Sequence, residues 1–245
     1  MLRILGVSLR VGGRIVLDEV SLQVRAGELV VVEGARASGK SSLARVAAMQ
    51  ARPESGEVWI GERDVAGVQD ASLPYVRRNI GYFSPELPLL PRLSVLENVM
   101  LAAGARGFEP AQARELALRA LGRVGAVGAA TRTPETLSGA ERRLVGIARA
   151  LAGAPPLLVI DDPSAGLAAS DAGAVLSAIL GAIEVGGAAL CTSPDGAFAT
   201  AVVRAGGRRV RLESGRVLAG GGPIGVVASR RAPAPEVDVR VEAHR

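Results

Sequence analysis

A chain of 245 residues with 49% hydrophobic content buries a large core, which excludes a disordered chain and suits one α/β domain or one domain carrying a smaller insert. Its formal charge of +5 suits anionic nucleotides, acidic lipid surfaces or nucleic acid, but aromatics at 2% leave almost no rings for stacking unpaired bases, so nucleic acid is set aside as a partner. The start lacks the pattern of a cleaved leader and no uncharged apolar run reaches the roughly 18 residues that span a bilayer, so any membrane role is expected to run through a partner.

In chain order, residues 2–9 and 15–24 read as strands, followed by an apolar run over 29–33 that ends in a Gly-rich turn. Good helix formers at helical spacing predict a helix over 41–50 (SSLARVAAMQ), and GEVWI at 56–60 predicts another strand. The prolines of SPELPLLP, residues 84–91, require a loop. Ala, Leu, Arg and Glu dominate 94–127 and predict a helical block that interrupts the strands. Strands resume at 156–160 (PLLVI) and 188–191, two uncharged runs of the kind buried on both faces of a parallel sheet. The core is therefore α/β, and the Gly, Pro, Ala and Arg of 219–245 predict a tail. Cys191, the only cysteine, cannot form an internal disulfide and reads as a buried structural thiol in a reducing compartment.

The string GARASGKSS, residues 34–42, satisfies G-x-x-x-x-G-K-[ST] between a predicted strand and a predicted helix, the context this phosphate cradle requires. Its backbone N–H groups and the helix N-terminus favour phosphate, which makes Gly34, Ala35, Ala37, Ser38, Gly39, Lys40, Ser41 and Ser42 candidate nucleotide contacts. Lys40 suits the β and γ phosphates and the Ser41 hydroxyl suits Mg²⁺. Ala37 stands where many such loops have glycine, and its methyl crowds the loop only if the backbone there needs positive φ. A second carboxylate-bearing strand, LLVIDDPS at 157–164, offers Asp161 as a Mg²⁺ holder, although Asp-Asp-Pro also reads as a simple turn. Between them, LSGAERRLVGIARAL at 137–151 opens with Ser138 and Gly139 at a predicted helix start, an anion site or, through Ser138 and Glu141, an ordinary capping box.

Phosphate loop, LSGAE and LLVIDDP in this order resemble the signature set of the ATP-binding-cassette (ABC) ATPases over about residues 2–218. RRNIGYF, LPLLPRLSVLENV and GIARA look most like the group holding the cell-division protein FtsE, the lipoprotein-releasing LolD and MacB-type exporters. The resemblance implies a P-loop NTPase core of ABC type, an inserted helical subdomain at about 85–150 and a small N-terminal antiparallel β part. It also implies ATP and Mg²⁺ as cofactors, a second ABC subunit in a homo- or heterodimer, and an integral membrane permease-like partner of FtsX or similar type. Ser138 and Gly139 would then serve a nucleotide on the partner subunit, and the chain would sit in the cytoplasm, peripheral to the inner face of the cell membrane.

Several positions depart from that pattern. Pro85 matches the family's glutamine, Asp162 the catalytic glutamate, Pro194 the histidine near the γ-phosphate, Val11 the ring that stacks on adenine, and Ala168 an aspartate. The only histidine, His244, lies in the tail. The phosphate-holding groups remain while hydrolytic groups change, so the expectation is ATP binding with slow turnover, Asp162 acting as a weak general base. The alternative is a non-hydrolysing, ATP-sensing structural subunit beside a catalytic paralogue; a soluble cassette acting on DNA or ribosomes is disfavoured. The loop 87–93 is the expected docking point for the membrane partner, with Leu89 and Leu90 as anchors or, alternatively, folded into the chain's own core.

Overall fold

The computed structural model describes residues 1–218, so the expected tail and His244 lie outside the described residues. Strands β1 (Leu2–Val11) and β2 (Arg14–Val24) pair antiparallel around a Gly12-Gly13 turn. Strand β3 (Leu29–Glu33) leads through the Gly-rich turn into helix α1 (Lys40–Ala47), and β4 (Ser55–Ile60), the short β5 (Arg63–Asp64), α2 (Leu73–Arg77) and β6 (Ile80–Phe83) follow. Three helices then intervene, α3 (Val95–Ala105), α4 (Pro110–Arg123) and α5 (Gly139–Leu151), before β7 (Leu157–Asp161) resumes the sheet. The chain continues through α6 (Ala169–Ile183), β8 (Ala188–Ser193) and α7 (Gly196–Arg204) to a final hairpin of β9 (Arg208–Glu213) and β10 (Arg216–Val217).

The strands divide between two sheets. One is antiparallel, in the order β2-β1-β4-β5; the other runs β10-β9-β3-β8-β7-β6 and is parallel from β9 to β6. Side chains alternate across a strand, and the parallel strands use both faces. Val30, Val32, Leu157, Val159 and Leu190 enter a core shared with α1 and the antiparallel sheet. Leu29, Val31, Leu158, Ile160 and Cys191 enter a second core shared with the helices from α3 to α7. Burial pushes the Cys191 thiol up to about 12, which keeps it protonated and makes it a packing residue.

The helical block expected over 94–127 is two helices. The break falls where Gly104 and Gly107, the latter at φ +91°, bracket the end of α3 and Pro110 opens α4. Helix α3 starts at a complete capping box between Ser94 and Glu97. One turn in, Asn98 is fully buried and satisfies itself on the preceding loop: it accepts from Leu90 N–H at 2.7 Å and donates to the carbonyls of Leu90, Leu93 and Ser94. From the other side Arg149 donates to the carbonyls of Pro88 and Leu87 at 3.0 and 3.2 Å. The proline-rich segment is thus pinned through its backbone. Leu89 turns into the core, which corrects its reading as a docking anchor, whereas Leu87 and Leu90 remain exposed.

Candidate functional site

The candidate site lies at the C-terminal ends of β3 and β7, the two strands that flank β8 in the sheet. The loop after β3 is tight. A side chain on Gly34 would sit 2.3 Å from the Leu212 carbonyl and 2.6 Å from Ser38 Oγ, and one on Gly39, at φ +102°, would sit 2.5 Å from the Val16 carbonyl. Those two positions admit only glycine, and between them the backbone curls, with Ser38 N–H donating to the Ala35 carbonyl at 3.3 Å.

Ala37 lies inside this curl at φ +62°, so its backbone does require the left-handed region. An L-residue there costs roughly 1–2 kcal/mol. Ala37→Gly should accordingly raise stability by about 1 kcal/mol, and a higher thermal midpoint is the expected reading; an unchanged or lower midpoint would mean that the loop carries no such strain.

Lys40 is buried, and its ammonium donates to the Gly34 and Ala35 carbonyls at 2.7 and 2.6 Å and to Ser38 Oγ at 3.3 Å. Burial lowers its pKa, while Asp161 and Asp162 pull it back up. Ser41, the next residue, donates to Asp161 Oδ1 at 3.3 Å across the gap between α1 and β7. Asp161 is itself buried and accepts a second, short hydrogen bond at the same oxygen from the Thr192 hydroxyl of β8.

Asp162 follows in the left-handed region at φ +51°, a conformation that Asp tolerates better than most residues. Its N–H donates to the carbonyl and hydroxyl of Thr192 at 3.0 and 3.2 Å, and its carbonyl accepts from Arg143 of α5 at 2.5 Å. Its Oδ1 is buried without a protein partner. Burial lifts the Asp162 carboxyl above the ordinary Asp range, Arg143 opposes that rise and Asp161 adds to it.

The residues present fit a nucleoside triphosphate with Mg²⁺. The cradle excludes side chains at Gly34 and Gly39, a cation sits beside it, and the Ser41 hydroxyl and Asp161 carboxylate supply hard oxygen ligands on adjacent elements. Asp162, whose Oδ1 is buried without a partner, follows β7 directly. Ser138 and Gly139 are exposed at the start of α5, where Ser138 forms the full capping box with Glu141. No hydrogen bond joins either residue to the phosphate loop among the described residues. Pro85 and Pro194 are exposed, and Ala168 is the N-cap of α6 with no side-chain cap. Arg45 of α1 pairs with Glu86, tying the segment around Pro85 to the phosphate-loop helix. Val11 and Ile15, at the β1–β2 tip, are exposed aliphatic residues.

Beside the phosphate site, a groove of about 440 Å³ runs between the proline-rich segment and the start of α5. Phe83, Pro85, Leu87, Leu89, Gly139 and Arg143 are among its lining residues. Arg143 therefore touches both regions, with its guanidinium over the Phe83 ring at 5.7 Å and its hydrogen bond on Asp162.

Two residues escaped the reading of the sequence, Thr192 and Asn98. Thr192 is a polar side chain in a mostly apolar strand, AALCTS, and Asn98 sits between Leu96 and Val99 at the start of α3; a buried polar group needs a partner. That mismatch was the available signal.

A parallel sheet with a phosphate loop, a carboxylate-ending strand two places along the sheet and a helical insert defines a P-loop ATPase cassette. The family model described as ABC transporter matches residues 17–165, and the chain belongs to this family. It is 38% identical to the lipoprotein-releasing system ATP-binding protein LolD of Granulibacter bethesdensis over 69% of this chain and 75% of that protein. It is also 38% identical to the macrolide export ATP-binding/permease protein MacB of Burkholderia thailandensis, over 62% of this chain and only 24% of that one. Among solved structures, the ATP-binding cassette MJ0796, dimeric and bound to ADP and Pi, superposes with a TM-score of 0.80 at 29% identity, covering 89% of this chain and 96% of that one. The resemblance to the LolD and MacB group drawn from the sequence therefore holds. No described helix is long and apolar enough to cross a membrane.

Proposed function

We propose that this chain is an ATP-binding subunit that sandwiches Mg·ATP at a dimer interface and couples binding and slow hydrolysis to an integral membrane partner. The observation that supports it most is the convergence of Lys40, Ser41 and Asp161 at one end of β3 and β7. Gly34, Ala35, Ala37, Ser38, Gly39 and Ser42 complete the phosphate cradle, and Lys40 leaves the loop carbonyls for the β and γ phosphates. Ser41 and Asp161 would hold the metal, which would supply positive charge against the phosphates. Ser138 and Gly139 serve the nucleotide of the second subunit. Their exposure agrees with that, as does the dimeric state of the similar cassette MJ0796.

Asp162 is the general base in this reading. Its unpartnered oxygen and raised pKa suit the role, while its short side chain, together with Pro85 and Pro194 in place of polar groups, makes turnover slow. Those same replacements favour a second reading, a non-hydrolysing ATP sensor beside a catalytic paralogue. Turnover of the purified chain with and without its membrane partner separates the two: slow ATPase that the partner stimulates supports the first, and no turnover under either condition supports the second.

By analogy with the lipoprotein-releasing and FtsE-type systems, the membrane partner is a permease-like subunit of FtsX or similar type. The chain itself lies in the cytoplasm at the inner face of the membrane. The groove beside the pinned proline-rich segment receives it, with Leu87 in the lining and Leu90 exposed nearby. A loop already held by Asn98 and Arg149 loses little entropy on docking. Leu87→Asp should abolish co-purification with the permease at unchanged nucleotide affinity and thermal midpoint. Normal co-purification would move the docking surface elsewhere.

A further inference from the structure

We propose that Thr192 is a positioning residue for the metal site: its hydroxyl sets the orientation of Asp161 and holds the Asp162 peptide, so that Mg²⁺ affinity depends on it. This rests on the Mg·ATP reading above. Thr192 is fully buried on β8, in a strand whose other residues are mostly apolar. A hydroxyl in such a place is costly unless both its donor and its acceptor functions are used. Both are: the O–H donates to Asp161 Oδ1, and the oxygen accepts from Asp162 N–H at 3.2 Å. The Ser41 hydroxyl is the second donor to the same Asp161 oxygen, at 3.3 Å.

The two donors play different parts once metal arrives. Ser41 is exposed at the mouth of the site and is itself a metal-ligand candidate; a lone pair of its hydroxyl would serve an ion while its O–H still donates to Asp161. Thr192 lies behind the carboxylate in the sheet and has no reason to move. Of the two donors on this oxygen, Thr192 is the one that is fully buried and is not itself a ligand candidate, so it is the fixed support of the carboxylate. The Thr192 hydroxyl also accepts from Asp162 N–H at 3.2 Å, beside the Thr192 carbonyl that accepts the same N–H at 3.0 Å, so it adds to the hold on the turn at φ +51° that follows. Groups standing behind a metal ligand in this way are typically worth about 10- to 100-fold in metal affinity.

Thr192→Val keeps the β-branched shape and removes the hydroxyl, Thr192→Ser keeps the hydroxyl, and Thr192→Ala is the smaller hydroxyl-free variant. Mn²⁺ binding followed by electron paramagnetic resonance in the presence of ATP reads the metal directly, and ATP binding in chelator serves as the control. The expected result is Mn²⁺ affinity about 10-fold weaker in Thr192→Val and Thr192→Ala, within about twofold of wild type in Thr192→Ser, with chelator-phase ATP binding unchanged in all three. Wild-type Mn²⁺ affinity in either hydroxyl-free variant overturns the proposal, as does a Thr192→Ser variant as weak as Thr192→Val. A wild-type chain that binds ATP in chelator but takes up no Mn²⁺ would instead overturn the metal reading on which the proposal stands.

Discussion

Lys40→Ala is expected to weaken ATP binding by about 10- to 100-fold. The ammonium is a buried positive charge at the phosphate cradle, and a hydrogen bond to a charged group is worth roughly 1.5–3 kcal/mol, where each 1.4 kcal/mol is a factor of ten. The side chain is already buried in the loop and bonded to the Gly34 and Ala35 carbonyls, so its loss also removes an internal brace of the cradle. Calorimetric titration with ATP checks both contributions when read beside the thermal midpoint. Equal affinity in wild type and a folded variant would remove the phosphate cradle from the account.

The second large effect is a gain. Asp162→Glu combined with Pro194→His restores carboxylate reach and a side chain beside the γ-phosphate position, and turnover should rise on the order of 100-fold, the scale attached to a misplacement of about 1 Å. Pro194 is exposed and Asp195 continues to cap α7, so histidine is sterically tolerated there. Glutamate at φ +51° is less comfortable than aspartate, and a small drop in thermal midpoint should accompany the gain. An unchanged rate in a folded double variant would mean that Pro85 or Ala168 limits hydrolysis instead.

The phosphate cradle was legible because its chemistry is local: a strand, a glycine-bounded turn and a lysine at a helix start are contiguous in the chain. Asp161 was legible because an apolar strand ended in a carboxylate. The partners of these residues were not. Thr192 meets Asp161 only because β7 and β8 are neighbours in the parallel sheet, and no local spacing records that. Arg143 reaches Asp162 across 19 positions of sequence, from a helix whose start reads equally well as a cap.

The rest of the fold follows the same division. The strongly periodic strands at the N-terminus and the uncharged strands of the parallel sheet stood out, whereas β9 escaped notice because RRVRLE hides two buried residues, Val210 and Leu212, among arginines whose partners lie elsewhere. Helix α6 has an uncapped start and several small residues, and its burial against the sheet compensates for weak local signals. In the proline-rich loop, apolar content alone did not separate Leu89 from Leu90. The anchoring of the Leu90 backbone by Asn98 decides which side chain turns inward.

The measurement that bears most directly on binding with slow turnover is a single-turnover experiment on the purified chain. Protein in excess is mixed with labelled Mg·ATP, and the bound nucleotide is recovered and resolved over time. The account predicts that ATP is retained on the protein and converts to ADP only slowly, with conversion accelerated in the Asp162→Glu, Pro194→His variant and retention lost in Lys40→Ala. A chain that retains no nucleotide, or one that converts all of it to ADP as fast as it binds, would contradict it.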